Sequence, residues 1–329
     1  MPSTTSSPVA LVVGASRGIG RQIAIDLARN GYAVVVAAKS TTPQADLDKI
    51  SPFPPDPNSS QSTITTVARE ITLTGGEATA IPVDTTKYES IQELIRKTIE
   101  TYARLDVLVY NAGAIYWAPV ARTPMKRFQL MQRVNVDGLY AAVQEALPHL
   151  RKRAVLVEEE RNRGGGGGRI IVVSPPIYSR FFRGKTAYAI GKVGMSVLVK
   201  GLGMDLEREG LTAAGGGGLA VTGIWPAVAI ESAATEQFTR RDPSYARDLR
   251  KPTIMSDAIL AMLTAPAPVV NGQLELDEDF LRKHAGVTDF SKYSVVPGAS
   301  PRRIMPAELP DLTVREQDDE GMRADSSKL

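Results

Sequence analysis

The stretch V-A-L-V-V-G-A-S-R-G-I-G, residues 9–20, decides the fold of this chain. The apolar run at 9–13 is typical of a buried parallel strand, and helical periodicity follows over 18–30. The junction of these two elements carries three glycines, Gly14, Gly18 and Gly20. Glycine is needed where a backbone turns sharply and approaches a pyrophosphate, which the free N–H groups of the next helix then bind. Because a strand-like run at 33–38 comes next, the unit predicts a dinucleotide site.

The same alternation continues along the chain. Further strand-like runs lie at 78–83, 106–110, 170–173 and 219–225. Helix-like segments lie at 61–74, 88–103, 124–150 and 186–209. This order predicts an α/β fold with a Rossmann-type doubly wound parallel sheet. We expect a single domain over 1–300 and a disordered C-terminal extension over 301–329, where the sequence becomes proline-rich and then charged.

Composition narrows the possible chemistry. The 329 residues contain no cysteine and two histidines, which excludes disulfides, thiolate catalysis and cysteine metal sites, and predicts no metal site. Basic residues are scattered and the net charge is +3, so we expect no nucleic-acid partner. Apolar runs are too short for a membrane span. The insertions at 51–60, 158–168 and 213–218 are predicted to be surface loops without a chemical role.

The end of the second predicted strand bears on cofactor choice. An acidic residue there usually binds the ribose 2′-hydroxyl of NAD, but this chain has Lys39, with Arg17 in the glycine loop. Two cations facing the ribose favour a 2′-phosphate, so the sequence predicts NADP(H). The alternative, in which both are solvated surface cations, stays open.

The stretch T-A-Y-A-I-G-K at 186–192 offers proton chemistry. Its spacing of four residues puts Tyr188 and Lys192 on one helix face. A neighbouring ammonium favours the phenolate and lowers the pKa of tyrosine, which suits Tyr188 to proton transfer near neutral pH.

Taken together, these motifs resemble the short-chain dehydrogenases/reductases over about residues 8–232. The matching pieces are the glycine loop, V-D at 83–84, N-A-G at 111–113, V-N-V-D-G at 134–138, Ser174 and T-A-Y-A-I-G-K. The pieces A-A-K-S, S-P-P, W-P-A-V-A-I and N-G-Q-L-E-L-D-E-D-F-L-R resemble the peroxisomal hydroxysteroid dehydrogenase-like branch, without its sterol-carrier domain.

The resemblance implies a role for each matching position. The implied cofactor-binding residues are Gly14, Ser16, Arg17, Gly18, Ile19, Gly20, Lys39, Asp84, Asn111, Ala112, Gly113, Tyr188, Lys192 and Pro226. Asp84 would bind the adenine amino group, and Lys192 would bind the nicotinamide ribose and lower the pKa of Tyr188. The implied catalytic residues are Asn135, which would hold a water, Ser174, which would polarise the substrate carbonyl, Tyr188 and Lys192.

Two departures from the family pattern stand out. Ser174 lies fourteen residues before Tyr188, whereas the family serine more often lies thirteen before, where this chain has Pro175. Ser179 is the alternative serine. Pro226 is followed by alanine where glycine is usual, and Ser232 or Glu231 occupies the usual threonine region.

The expected function is an NADP(H)-dependent oxidoreductase that interconverts a carbonyl and a secondary alcohol on an apolar lipid, acyl or steroid-like substrate. We expect the substrate cleft to be lined by Ile115, Tyr116, Trp117, Phe181 and Phe182. Two alternatives remain: a cofactor-binding protein with weak catalysis, and a lyase or dehydratase acting on an acyl thioester.

The C-terminal residues and two of the helices predict partners. The last three residues, Ser327, Lys328 and Leu329, form an address that the peroxisomal import receptor recognises, so we expect a peroxisomal protein. The family resemblance implies a homodimer or homotetramer that pairs the helices at 124–150 and 186–209.

Overall fold

A computed structural model describes residues 6–47, 49–50, 58, 60–159, 167–212 and 218–312. Most of the insertion at 51–60, much of the two glycine-rich insertions, and the final residues with the predicted targeting signal lie outside the described residues.

The centre of the fold is one seven-stranded parallel sheet with the strand order β3-β2-β1-β4-β5-β6-β7. The strands are β1 Val9–Val13, β2 Ala33–Ala38, β3 Glu77–Pro82, β4 Val107–Tyr110, β5 Arg169–Val173, β6 Ala220–Trp225 and β7 Gln273–Leu276. The predicted Rossmann-type sheet is confirmed, and β7 is an additional strand that the sequence patterns did not reveal. The order reverses between β1 and β4, the point at which doubly wound sheets open a crevice for ligands.

Helices cover both faces of the sheet. They are α1 Gly18–Arg29, α2 Gln44–Leu47, α3 Ile64–Leu73, α4 Tyr88–Tyr102, α5 Met125–Gln132, α6 Gly138–Glu159, α7 Thr186–Arg208, α8 Ala233–Arg241, α9 Thr253–Thr264, α10 Ala267–Val270 and α11 Asp277–His284. Side chains alternate along each strand, so Ala10 and Val12 pack on the side of α1 and α9, while Leu11 and Val13 pack on the side of α4 and α7. Within the described part of the chain no helix is long and apolar enough to span a membrane.

The long helix predicted at 124–150 contains a break in its regular hydrogen bonding. A π-helical turn, Arg133–Asp137, joins α5 to α6. The hydroxyl of Tyr110 donates to the carbonyl oxygen of Val134 within this turn at 2.6 Å. Gly138 makes room for that contact, because a Cβ there would lie 2.5 Å from the Tyr110 oxygen. Such π turns occur often at functional sites, and this one carries Asn135.

The C-terminal region departs from the expectation of disorder at its start. The backbone N–H groups of Ile304 and Met305 both donate to the carbonyl of Ala227, at 2.8 and 3.2 Å. Met305 is buried against Ala227 and Leu276. Residues 302–306 therefore form an arm that packs onto the domain just after β6. The alternation of elements gave no sign of it, because the arm has no regular secondary structure.

Candidate active site

A cleft of about 730 Å³ opens at the carboxyl ends of the parallel strands. Gly14 follows β1, Lys39 follows β2, Asp84 follows β3 and Asn111 follows β4, and all four line the cleft. Every predicted cofactor-binding residue except Gly20 lines this cleft directly. The crevice at the point where the strand order reverses thus brings the predicted cofactor-binding residues together.

The glycine loop leaves no room for side chains at two positions. Gly14 has a φ of +89°, and a Cβ there would lie 2.5 Å from the backbone nitrogen of Ala112. A Cβ on Gly20 would collide with the carbonyl of Gly14 and lie 2.5 Å from Nδ2 of Asn111. That Asn111 nitrogen donates to the Gly14 carbonyl at 2.9 Å, which ties the loop after β1 to the loop after β4.

Helix α1 points an uncapped N-terminus into the cleft. Its N-cap residue, Arg17, makes no side-chain capping hydrogen bond, and Gly18 follows with a φ of +55°. The first N–H groups of this helix and its positive dipole end are therefore available to an anion. This cradle fits the pyrophosphate of a dinucleotide.

Lys39 and Asp84 are paired across the ends of β2 and β3. The Lys39 Nζ lies 3.0 Å from Oδ2 of Asp84, and Thr86 donates to Oδ1 through its hydroxyl and its backbone N–H. Hydrogen bonds from Thr86 and Lys39 lower the pKa of Asp84 to about 2. Lys39 was expected to face the ribose as a free cation, but it is engaged with Asp84 while its side chain stays 80% exposed. An exposed pair of this kind is weak, so Lys39 can exchange partners.

Tyr188 lies in the cleft wall, at the start of α7. It is 3% exposed, and its ring meets Trp117 edge-on with centroids 6.1 Å apart and Phe181 at 6.2 Å. Burial raises the pKa of Tyr188 above its ordinary value of 10. The expectation of a lowered pKa is therefore wrong here, because loss of solvent disfavours the phenolate.

Lys192 lies one turn further along α7 and also lines the cleft. Its Nζ donates to the carbonyl of Val173 at 2.8 Å, and burial lowers its pKa to about 7. The ammonium is thus held by the end of β5. A Cβ on Gly113 would lie 3.5 Å from both this Nζ and Oδ1 of Asn135, so the three residues are close neighbours.

Asn135 fastens the loop after β4. Its Oδ1 accepts from the N–H of Ala114 at 2.8 Å, and its Nδ2 donates to the carbonyl of the same residue at 3.1 Å. Asn135 was expected to hold a water, but both polar atoms of its side chain are hydrogen-bonded to the backbone of Ala114. Asn135 holds the Asn111–Gly113 segment in place against Lys192.

Ser174 does not reach the cleft. Val173, the last residue of β5, lines it, whereas Ser174 follows the strand and is not among the cleft-lining residues. Its Oγ is buried without a hydrogen bond to any described residue, and a Cβ on Gly223 of β6 would lie 2.9 Å from it. The alternative serine, Ser179, is exposed and is not among the cleft-lining residues. Neither serine lines the cleft, and the contact of Ser174 with a substrate carbonyl stays a prediction.

The substrate end of the cleft is aromatic and apolar. Ile115 and Trp117 line it as predicted, whereas Tyr116, Phe181 and Phe182 pack beneath the surface around Tyr188. Phe238 of α8 stacks on Trp117 with centroids 6.0 Å apart and Tyr245 packs on Phe238. Ser232 of the predicted threonine region lines the cleft and begins α8 with a capping box, while Glu231 does not line it.

The comparison with protein families identifies this architecture. The model of the short chain dehydrogenase family matches residues 8–50 and 58–229, which include the glycine loop, Asn135, Tyr188 and Lys192. The chain belongs to the short-chain dehydrogenase family. Proteins of this family are oxidoreductases that act on CH–OH groups with a nicotinamide cofactor.

Relatives in this family agree with the branch predicted from the motifs. The chain is 34% identical over 289 residues to hydroxysteroid dehydrogenase-like protein 2 of Danio rerio and 32% identical to that of Homo sapiens, in each case over 87% of this chain. It spans 60% of the length of each of these relatives.

Solved structures agree as well. A short chain dehydrogenase of Mycobacterium thermoresistibile is 31% identical, with a TM-score of 0.73, over 92% of this chain and 96% of that one. A 7α-hydroxysteroid dehydrogenase in complex with NADH and 7-oxo glycochenodeoxycholic acid is 25% identical, with a TM-score of 0.59, over 82% and 92%.

The arm at 302–306 adds a cleft residue far beyond the family match, which ends at residue 229. Ile304 lines the cleft, and Arg303 beside it is bound by both carboxylate oxygens of Asp279, at 2.8 and 2.5 Å. The buried carboxylate of Asp277 accepts a hydrogen bond from the N–H of Ala227 at 2.8 Å. The carbonyl of the same Ala227 accepts the two hydrogen bonds from the arm. No sequence motif marked Ile304, because its role depends on the return of the chain to the end of β6.

Proposed function

We propose that this protein is an NADP(H)-dependent oxidoreductase that interconverts a carbonyl and a secondary alcohol on an apolar substrate. The observation that supports this most is the position of Tyr188, which lies in one cleft between an anion-binding glycine loop and an apolar, aromatic wall. A proton donor, a cofactor cradle and a hydrophobic binding surface thus share one space.

The cofactor, when bound, supplies the hydride chemistry. The N-terminus of α1 would hold its phosphates, and the loop after β4, fastened by Asn135, would contribute to its binding surface. Tyr188 donates its proton to the oxygen of the substrate as negative charge develops there, and accepts a proton in the reverse direction. Its raised pKa keeps the phenol protonated at neutral pH, which suits the donor role.

Because Ser174 is not among the cleft-lining residues, polarisation of the carbonyl falls mainly on Tyr188 in this proposal. A second candidate function follows from the same observation: a cofactor-binding protein with weak catalysis. The two candidates separate in one assay, in which oxidation of NADPH is followed with a panel of apolar ketones. Ketone-dependent oxidation supports the enzyme, whereas tight cofactor binding without turnover of any ketone supports the weak binder.

The preference for NADP(H) rests on Lys39 and Arg17, which lie at the same end of the cleft. A 2′-phosphate would take Lys39 from its exposed pair with Asp84, since a doubly charged phosphate is the stronger acceptor. NADPH and NADH can be titrated against the fluorescence of Trp117 and Trp225, which both line the cleft. We expect NADPH to bind more tightly than NADH. Lys39→Ala should weaken NADPH binding about tenfold, which corresponds to the loss of roughly one charge-assisted hydrogen bond. Tighter binding of NADH would overturn this preference.

A peroxisomal location and self-association belong to the same proposal. Deletion of Leu329 should leave a fluorescent fusion in the cytosol if Ser327–Leu329 is the import address. Four exposed apolar side chains on α6 and α7 support pairing through these helices: Tyr140, Ile190, Val197 and Met204. Val197→Glu should shift the mass measured by light scattering toward the monomer, and an unchanged mass would argue for another interface.

A further inference from the structure

Five basic side chains lie near residues of the cleft wall without lining the cleft themselves, and no ion pair joins them to an acidic residue in the described part of the chain. They are Lys126, Arg127, Arg180, Arg183 and Lys185, called here the mouth cations. In the described part of the chain none of them forms an ion pair or a side-chain hydrogen bond. Elsewhere arginines are commonly paired, as in Arg96 with Glu93, Arg250 with Glu278 and Arg303 with Asp279.

The mouth cations are placed by residues that belong to the cleft wall. On α5, Lys126 and Arg127 precede Leu130 by four and three residues, so they share its helix face, and Leu130 lines the cleft. Arg180 and Arg183 flank Phe181, which is buried against Tyr188 and Trp225. Phe128 of α5 and Phe181 pack in one cluster, so the two cationic segments meet at the substrate end.

Two of these cations also lie over neighbouring aromatic rings. The Arg127 guanidinium is 5.6 Å from the ring centre of Tyr116. The Lys185 Nζ is 4.2 Å from that of Phe181 and 5.9 Å from that of Trp117. Lys185 is half-buried, and this burial lowers its pKa. The rings hold both cations at the edge of the apolar wall.

The segments that carry the mouth cations contain no acidic residue, and on the facing α8 side Glu236 is paired with Arg240 while Asp242 accepts from Ser244. Residues 112–136 and 169–204 supply this side of the cleft, and neither segment contains an aspartate or a glutamate. The whole chain is nearly balanced, with 39 basic and 36 acidic residues, so the local excess is a feature of this surface. Like charges gathered in this way repel each other, and an anionic ligand relieves that repulsion.

We propose that the mouth cations bind a phosphate-bearing group of the substrate while its apolar part enters the cleft beside Tyr188. A coenzyme A thioester has this chemistry, because its acyl chain is apolar and its distant end carries phosphates. The inference rests on the proposed oxidoreductase function and narrows its substrate class.

A soluble ligand fits the geometry better than an anionic lipid surface. Lys185 is half-buried over the rings of Trp117 and Phe181, where a flexible phosphate-bearing chain can reach and a flat bilayer cannot. A lipid surface could nevertheless contact the exposed apolar side chains of Val120 and Met125, which lie beside the mouth cations and are 67% and 64% exposed. The test therefore includes vesicles.

The probe is desulfo-coenzyme A, titrated by calorimetry into the full chain saturated with NADP⁺, so that the dinucleotide site is already occupied. We expect binding that weakens with salt. Arg127→Gln and Arg183→Gln should each weaken it about threefold to tenfold, the range for loss of one charged contact. Lys152→Gln is the matched control, because Lys152 is an exposed cation on α6 outside the cleft, and it should leave the affinity unchanged.

Three outcomes would overturn the inference: no binding of desulfo-coenzyme A, binding that the arginine variants do not affect, and co-sedimentation with phosphatidylserine vesicles in place of binding. In each of these the dinucleotide titration still reports on the proposed function separately. If NADP⁺ and NADPH bind but desulfo-coenzyme A does not, the substrate class is wrong and the cofactor proposal stands. If neither binds, the proposed function itself fails.

Discussion

The two ends of the cleft are built in different ways. The cofactor end comes from short loops directly after β1 to β4, and close contacts with the backbone fix it, such as the hydrogen bond that the Asn111 side chain donates to the Gly14 carbonyl. The substrate end is assembled from segments far apart in sequence, since Trp117, Phe238 and Ile304 all line the same cleft. Backbone contacts tolerate few residue types, whereas a wall of side chains tolerates many. Sequence motifs therefore mark the first end and leave the second largely unmarked.

The junction of the two ends carries the largest expected effect. Tyr188→Phe removes the proton donor and keeps the buried ring between Trp117 and Phe181. We expect turnover to fall about 10²- to 10⁴-fold, the usual contribution of a positioned acid. Cofactor affinity, measured by fluorescence, should stay unchanged. A variant that turns over every accepted substrate at the original rate would remove Tyr188 from the mechanism.

The cofactor end should fail when its backbone contacts are disturbed. Gly20→Ala places a methyl group against the Gly14 carbonyl, so the loop must move. A displacement of this kind should weaken cofactor binding roughly 10²-fold. Gly201→Ala is the control, since no atom lies within 4 Å of a Cβ there. Equal affinities of the two variants would show that the loop adapts and that the comparison is mistaken.

Lys192 connects the two ends, and its ionisation should appear in the pH dependence of stability. Burial lowers its pKa from 10.5 to about 7, so between these values the unfolded chain holds a proton that the folded chain lacks. The free energy of unfolding should therefore rise as pH increases from about 7.5 to 9.5, by at most about 1.4 kcal/mol per pH unit.

Urea titrations across that range provide the measurement, and Lys192→Met should flatten the slope. Asp277→Asn is the control. Burial raises the pKa of Asp277 from 3.8 to about 7, so this residue changes the pH dependence of stability only below about pH 7 and should leave the slope above pH 7.5 unchanged. A slope that survives in Lys192→Met would assign it to another group.

The substrate end should respond more mildly. Ile304→Ala shortens a cleft-lining side chain on the arm and leaves the contacts of Arg303 in place. We expect KM for an apolar ketone to rise about fivefold, with cofactor affinity unchanged, because three carbons are lost from a cleft-lining side chain that is 50% exposed. Leu73→Ala, an exposed apolar residue on α3, is the control. An unaltered KM would exclude the arm from substrate binding.

The smallest effect is expected at Ser174. Its Oγ is buried away from the cleft without a described hydrogen-bond partner, so Ser174→Ala should change turnover by less than about threefold. Thermal unfolding should show equal or slightly higher stability, because no buried hydroxyl remains unsatisfied. A loss of turnover comparable to that of Tyr188→Phe would mean that the end of β5 rearranges when substrate binds.

These contrasts explain how far the sequence could predict the molecule. Hydrophobic alternation and the glycine loop predicted the sheet, because buried strands and tight turns impose local rules on residue type. Whether Ser174 lines the cleft depends on where β5 ends, and the pairing of Lys39 with Asp84 depends on two strand ends meeting. The position of Ile304 in the cleft could be found only from the full path of the chain, which returns to the end of β6. Such features arise from tertiary placement, which a local pattern does not encode.

The central claim is that hydride moves between the cofactor and a substrate carbon beside Tyr188. Its most direct test uses NADPH carrying deuterium at the transferred position, an apolar ketone that the protein accepts, and mass spectrometry of the product. The account predicts an alcohol with one deuterium on the carbinol carbon, and far less of it with Tyr188→Phe. A product without deuterium would contradict the account and indicate lyase or dehydratase chemistry in the same cleft.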